Sequence, residues 1–238
     1  MNQRLADVKV LTFDVGGTVF DWYSAVSQAV AELAASRQAD VDASAFAIGW
    51  RELFFDTLAQ VRSGALPRMN ADGIHRLTLD TVAGRYPALA LTDEEKDGLT
   101  DVWHSLSAWP DANPAIQRLR SKYTVVVLTV LSFGIVVESS KHSGIDWDAI
   151  ISCEFLQHYK PDVDAYLDGL DLLGVEPKDA MMVAAHKWDL MAAKEAGLAT
   201  AYVPRPLERG EATQYEAKLD GVDLNAPDFA RLADSLLI

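Results

Sequence analysis

From residue 123 to residue 203 the chain alternates short apolar runs with helical patterns, and this rhythm restricts the possible folds more than any other feature of its 238 residues. Strands are predicted at 123–129, 149–153, 180–184 and 198–203, separated by helices at 133–142, 162–173 and 190–196. Runs such as Val125-Val126-Val127-Leu128 are apolar at every position, which suits a strand covered on both faces. Repeated strand–helix units build a parallel sheet wrapped by helices. The apolar run 8–13 supplies one more strand, and 222–224 a last short one before a helix at 228–237. Between the first two strands, 22–108 shows helical patterns at 24–35, 45–61, 73–82 and 93–106 and no convincing strand. A breaker cluster at 109–114 then precedes a short helix at 115–119, and the polar stretch 208–218 is expected to be a surface loop. The expected fold is α/β, a doubly wound parallel sheet formed by 1–20 and 109–238, interrupted by a helical insertion at 21–108.

Composition narrows the function. A formal net charge of −14 repels nucleic acid and anionic lipid over most of the surface, so neither is an expected partner. Any small anionic substrate must be received by locally placed cations. No apolar stretch approaches a membrane span and the first residues lack a signal-peptide core, so a cytoplasmic protein is expected. Cys153, the single cysteine, lies in an apolar run and is expected to be a buried strand thiol.

The segment Phe13-Asp14-Val15-Gly16-Gly17-Thr18 delivers a carboxylate from an apolar strand into a glycine turn. Ligands of open parallel sheets bind outside the carboxyl ends of the strands, which is where Asp14 falls. Thr129, Lys160 and Asp189 also fall at or just after strand ends. Thr129 could bind a carboxylate or phosphate beside a helix amino terminus, or satisfy local backbone. Lys160, restrained by Pro161, could orient Asp14 and neutralise it; otherwise it is a solvated surface lysine. Asp189 could cap the following helix or act in catalysis. His186 is a candidate for a second polar group in the site. Arg51 becomes an anion clamp if the helical insertion covers the sheet's crevice, whereas the pair His75-Arg76 reads as a solvated helix face. Gly144, Gly169, Gly174 and Gly197 read as helix-ending or turn glycines. No zinc site, dinucleotide fingerprint or phosphate loop is present in the sequence.

Taken in order, Phe13-Asp14-Val15-Gly16-Gly17-Thr18, Thr129, Tyr159-Lys160-Pro161 and Trp188-Asp189, with a helical insertion after the first motif, resemble the haloacid dehalogenase superfamily, most closely its L-2-haloacid dehalogenase branch. The resemblance implies a Rossmann-like core with an inserted helical cap and hydrolytic dehalogenation of small 2-haloalkanoic acids through an aspartyl ester. It assigns Asp14 as nucleophile, Thr18 as its supporting hydroxyl, Arg51 as halide clamp, Thr129 as carboxylate binder and Lys160 as partner of Asp14. Tyr166 becomes an active-site phenol and Asp189 the acid that helps to activate water. No metal or other cofactor is implied, and a homodimer is suggested.

The superfamily's phosphatases carry a second Asp two residues after the nucleophile to protonate the leaving oxygen, and Gly16 stands there in this chain. A departing halide needs no proton. The sequence also departs from the dehalogenase pattern, with Val130 and His186 at amide positions and Ala184 and Ala185 at small hydroxyl positions. Two alternatives therefore stay open: a magnesium-dependent phosphatase using Asp14 and Asp189, and a binding protein with a decayed site.

Overall fold

The computed structural model describes residues 3–210 and 215–237. In chain order the elements are α1 (Gln3–Ala6), β1 (Val10–Phe13), α2 (Trp22–Ser36), α3 (Ala43–Arg62), α4 (Ala71–Ala83), α5 (Asp93–Asp101), α6 (Ala112–Leu119), β2 (Thr124–Thr129), α7 (Phe133–Ser143) and β3 (Ala149–Ser152). There follow α8 (Val163–Leu173), β4 (Ala180–Ala184), α9 (Lys187–Glu195), β5 (Ala199–Tyr202), β6 (Leu224–Asn225) and α10 (Phe229–Leu236). All pairings in the six-stranded sheet are parallel, and the order is β3-β2-β1-β4-β5-β6. The chain builds outward from β1 to β3 on one side, then returns to lay β4 against the other edge of β1. That reversal places the switch point between β1 and β4, where Phe13 pairs with Val183. Residues immediately after these two strands therefore face one another across the crevice.

Burial explains why the apolar runs become strands. Every residue of β1 and β4 is buried, and Phe13 packs against Trp147 and Phe229 at 5.7 Å from each ring. The helices α2 to α5 lie between β1 and β2 in sequence. Their starts are legible as caps: Asp21, Asp42 and Asn70 accept from the backbone N–H of Ser24, Ala45 and Gly73, while Thr92 and Glu95 form a reciprocal capping box. This helical segment is tied to the sheet domain by the Arg62–Asp162 ion pair, by Arg68 donating to the carbonyls of Cys153 and Gln157, and by Tyr159 donating to the Met69 carbonyl.

Several expectations are corrected. The helix expected over 93–106 ends at Asp101, and Val102–Ser105 tightens into a 3-10 turn that directs the fully buried Trp103 onto Trp22, stacked at 6.1 Å. Helix α9 starts at Lys187, and its first turn carries Lys187 and Asp189, which hides it from an apolar-periodicity reading. Helix α6 starts at Ala112, since Pro114 is tolerated within a first turn. Pro161 precedes α8, whose cap position is Asp162. Gly169 lies inside α8, where a Cβ would stand 2.9 Å from Leu128 Cδ1, so it serves close packing and ends nothing. Cys153 begins a 3-10 turn beyond β3, and burial pushes its thiol up to about 11, leaving it protonated and unreactive at neutral pH. Strand β6 is shifted to Leu224–Asn225 because Asp223 turns back to accept from the Thr200 N–H at 2.9 Å. Among the described residues no helix is long and apolar enough to cross a membrane.

Candidate active site

Asp14 follows the last residue of β1, and its backbone N–H donates to the Val183 carbonyl of β4 at 3.0 Å. The turn beyond it closes on itself, with the N–H groups of Val19 and Phe20 donating to the Val15 carbonyl. This turn carries Thr18 back beneath the carboxylate, and its hydroxyl donates to Asp14 Oδ2 at 2.6 Å. Thr18 Oγ1 in turn accepts from the Ala185 N–H at 3.0 Å, linking the ends of β1 and β4.

Lys160 arrives from the loop before α8, with its side chain fully buried. Its ammonium donates to the Leu128 carbonyl at 2.8 Å and to Asp189 Oδ2 at 2.6 Å, and stands 3.5 Å from Asp14 Oδ1. Asp189, in the first turn of α9, also accepts from the Tyr166 hydroxyl at 2.5 Å. Tyr166 is thus a partner of Asp189, fully buried behind the reaction centre, and burial with the neighbouring carboxylate raises its phenol far above the ordinary value. Thr129 Oγ1 accepts from the Leu131 N–H at 3.1 Å and is fully buried at the end of β2.

His186 stands at the N-cap position of α9 and lies between two carboxylates. Its Nδ1 donates to Asp14 Oδ2 at 3.1 Å, and Nε2 donates to both Glu208 oxygens at 3.0 Å. Against the cost of burial, Glu208 and Asp14 raise the imidazole to about 10, so it is a cation at neutral pH. The Asp14 carboxyl is held well below the usual range: burial opposes its ionisation, but Lys160, His186 and Thr18 outweigh that. Glu208 was expected in a surface loop. It is instead half-buried, with 16% of its side chain exposed, accepts from Trp22 Nε1 at 3.1 Å, and occupies the space a Cβ on Gly17 would need. Gly17, at φ +90°, therefore admits a neighbouring side chain. Of that loop, residues 211–214 lie outside the described residues.

Arg51 stands on α3 with 3% of its surface exposed. Its Nη2 would lie 3.1 Å from a Cβ on Gly16, which brings the guanidinium over the turn that follows Asp14. Nε and Nη1 are buried and have no hydrogen-bond partner among the described residues. The rings of Phe55, Phe54, Trp22 and Trp103 surround Cζ at 4.6 to 5.5 Å. Burial lowers Arg51 to about 10 against the pull of Glu208 and Asp14, and it remains charged at neutral pH. His75, read as part of a solvated face, is fully buried between Trp103 and Phe54 at 3.9 and 4.6 Å. Desolvation and Arg51 hold its ring neutral. An imidazole stacked among aromatic rings packs as an apolar side chain, and of the pair it is Arg76 that faces solvent.

The six ionisable groups balance: Asp14, Asp189 and Glu208 against Lys160, His186 and Arg51. The residues do not fit a magnesium ion. Asp14 Oδ1 faces an ammonium and Oδ2 already accepts from Thr18 and His186, so a divalent cation on this carboxylate would stand against two fixed positive charges. A neutral anion-handling centre, in which two Arg51 nitrogens lack partners among the described residues, is suited to accepting one more anion.

The raised His186 gives a stability signature. Its folded value exceeds its unfolded value of about 6.5, so the stabilisation is complete below that pH and is lost as pH rises towards about 10. Thermal melts are expected to fall by several degrees between pH 6.5 and 10, and His186→Asn should flatten that slope; a slope unchanged in the variant would contradict the paired imidazolium.

A parallel sheet presenting a buried, ion-paired aspartate at its switch point, with a helical segment between β1 and β2 bringing a cation over it, defines an α/β enzyme with a carboxylate-centred site. Residues 8–197 match the haloacid dehalogenase-like hydrolases. (S)-2-haloacid dehalogenase 4A of Burkholderia cepacia is 30% identical over 214 residues, which cover 88% of this chain and 87% of that protein. The structure of the defluorinating L-2-haloacid dehalogenase Rha0230 superposes with a TM-score of 0.91 at 36% identity, covering 97% and 96% of the two chains. That of the L-2-haloacid dehalogenase PA0810 gives 0.90 at 31%, covering 97% and 99%. The chain belongs to the haloacid dehalogenase-like hydrolases.

Proposed function

We propose that this hydrolase cleaves the carbon–halogen bond of small 2-halo acids, with Asp14 as nucleophile and the helical segment 21–108 as its cap. The observation that carries the reading is the placement of Arg51. Its guanidinium takes the space over Gly16 that an acid two residues after the nucleophile would need, and leaves Nε and Nη1 unpartnered among the described residues, in an aromatic surround. A leaving group received there is met by positive charge and by no proton donor of the carboxylic type. That suits a halide and not an alkoxide. The dehalogenases similar to this chain act in the same sense.

In the first step an Asp14 oxygen attacks the α-carbon, the carbon–halogen bond breaks, and halide leaves towards Arg51. Thr18 and Lys160 hold the attacking carboxylate, while the amino end of α7 beside Thr129 receives the substrate carboxylate. Water then cleaves the aspartyl ester at its carbonyl carbon, releasing the 2-hydroxy acid with inverted configuration and regenerating Asp14. An apolar cleft of 280 Å³, lined by Phe55, Leu58, Ala59 and Trp188 beside Lys160, favours short chains. Dependence on a metal is not part of this reading.

Purified protein is expected to release halide from chloroacetate, 2-chloropropionate and fluoroacetate at rates unchanged by a chelator. Phosphate release from phosphomonoesters that requires magnesium, with no halide from any member of the panel, would replace this reading by the phosphatase one.

A further inference from the structure

Two groups could activate the water that cleaves the ester, and the structure separates them. Asp189 is fully buried, and both its oxygens are engaged, Oδ1 by Tyr166 and Oδ2 by Lys160. No bond joins it to Asp14 among the described contacts. It fixes the ammonium that faces the nucleophile, which is a positioning role. His186, by contrast, reaches Asp14 Oδ2 directly at 3.1 Å, and its side chain keeps 16% of its surface exposed.

We infer that His186 is the general base of the second half-reaction and that Glu208 is its positioning carboxylate. The inference rests on the aspartyl-ester reading above. A histidine present only to neutralise Asp14 needs nothing on its other nitrogen, yet Nε2 lies 3.0 Å from both Glu208 oxygens. Such a carboxylate fixes the tautomer that leaves Nδ1 free to take a proton. The ring plane is fixed further by Trp188, stacked at 5.6 Å, and Glu208 by Trp22 at 3.1 Å. The charged groups facing the pair are Asp14 on the nucleophile turn, with Arg51 and Arg209 nearby.

The cycle switches the base on only when it is needed. In the resting site Asp14 and Glu208 both hold the proton on His186. Alkylation of Asp14 removes one of those negative charges and the acceptor for Nδ1–H, so His186 gives that proton to solvent. Water then adds to the ester carbonyl carbon while Nδ1 takes its proton. The tetrahedral adduct collapses with cleavage of the acyl carbon–oxygen bond, and the departing alkoxide takes the proton of the new Asp14 carboxyl. His186 is again an imidazolium and Asp14 again a carboxylate. Overall, substrate and one water give the 2-hydroxy acid, halide and the one proton released to solvent.

The test uses chloroacetate with the full-length protein and its Glu208→Gln variant, following halide release in the first turnover and the covalent ester by intact-protein mass. The variant is expected to release its first halide within about threefold of the wild-type rate. Its ester should then accumulate, with hydrolysis slowed about 100-fold. In the wild-type protein, hydrolysis of preformed ester should rise with pH through one ionisation, and that ionisation should move to lower pH in the variant. Wild-type turnover in Glu208→Gln, a slowed first halide release without ester accumulation, or a pH-independent wild-type ester hydrolysis would each overturn the inference. The last measurement decides the matter if the variant does not fold. A wild-type protein that releases no halide and forms no ester fails at the earlier reading, a distinguishable result.

Discussion

Asp14→Asn is expected to lower halide release at least about 10⁴-fold while leaving the fold in place, because the amide has no negative oxygen to attack carbon. The amide nearly matches the carboxylate in size, and Thr18 still has an oxygen to donate to. What changes is charge: Lys160 and His186 lose the anion that both face. The Asp14 carboxyl is held below its ordinary range, so it supplies stability above about pH 4 that is lost as pH falls further. The variant should therefore melt lower at pH 7 and differ less from the wild type at pH 3. A single turnover of the wild-type protein in ¹⁸O-water should place label in Asp14, since water attacks its carbonyl carbon. Unlabelled Asp14 in an active enzyme would mean that water attacks the substrate directly. Full turnover by Asp14→Asn would remove this residue from the chemistry, and absence of turnover in both proteins would favour a binding role.

Arg51→Met is expected to separate function from stability in the opposite direction. Loss of the cation over the proposed leaving-group position should reduce kcat/KM about 100- to 1000-fold, the usual cost of removing one charge-stabilising donor. Stability should hold or rise. Two guanidinium nitrogens are buried without hydrogen bonds to any described residue, and the lowering to about 10 means that the fold disfavours this charge relative to water. Contacts with four aromatic rings offset part of that cost, and a methionine would retain their packing. Activity and melting temperature measured on one preparation test both halves. A variant that keeps its activity, or that melts many degrees lower, would identify Arg51 as a structural residue.

Much of the site could be read from the chain because its residues lie at strand ends. The apolar runs locate β1, β2 and β4, and parallel pairing forces their carboxyl ends together, so Asp14, Thr129, Lys160 and Asp189 converge from local patterns alone. Arg51 is legible only on the condition that the helical insertion covers the crevice. It falls within the buried stripe Ala47, Trp50, Phe54 and Leu58 of α3, where a charge has no structural reason to be. Cap residues such as Asp21, Asp42 and Thr92 likewise mark helix starts, since their oxygens satisfy backbone donors only a few residues away.

Sequence by itself thus determined the sheet, the helical insertion and the four polar strand ends, because each depends on periodicity or on hydrogen bonds within a few positions. Only tertiary structure decided what those groups bind. Lys160 is closer to Asp189 than to Asp14, Tyr166 serves Asp189, His75 is a neutral core ring, and Glu208, in a stretch that reads as solvent-facing, closes on His186. These are contacts between segments distant in the chain, fixed by charge balance at a largely buried site. Local composition carries no record of which buried cation will find which anion.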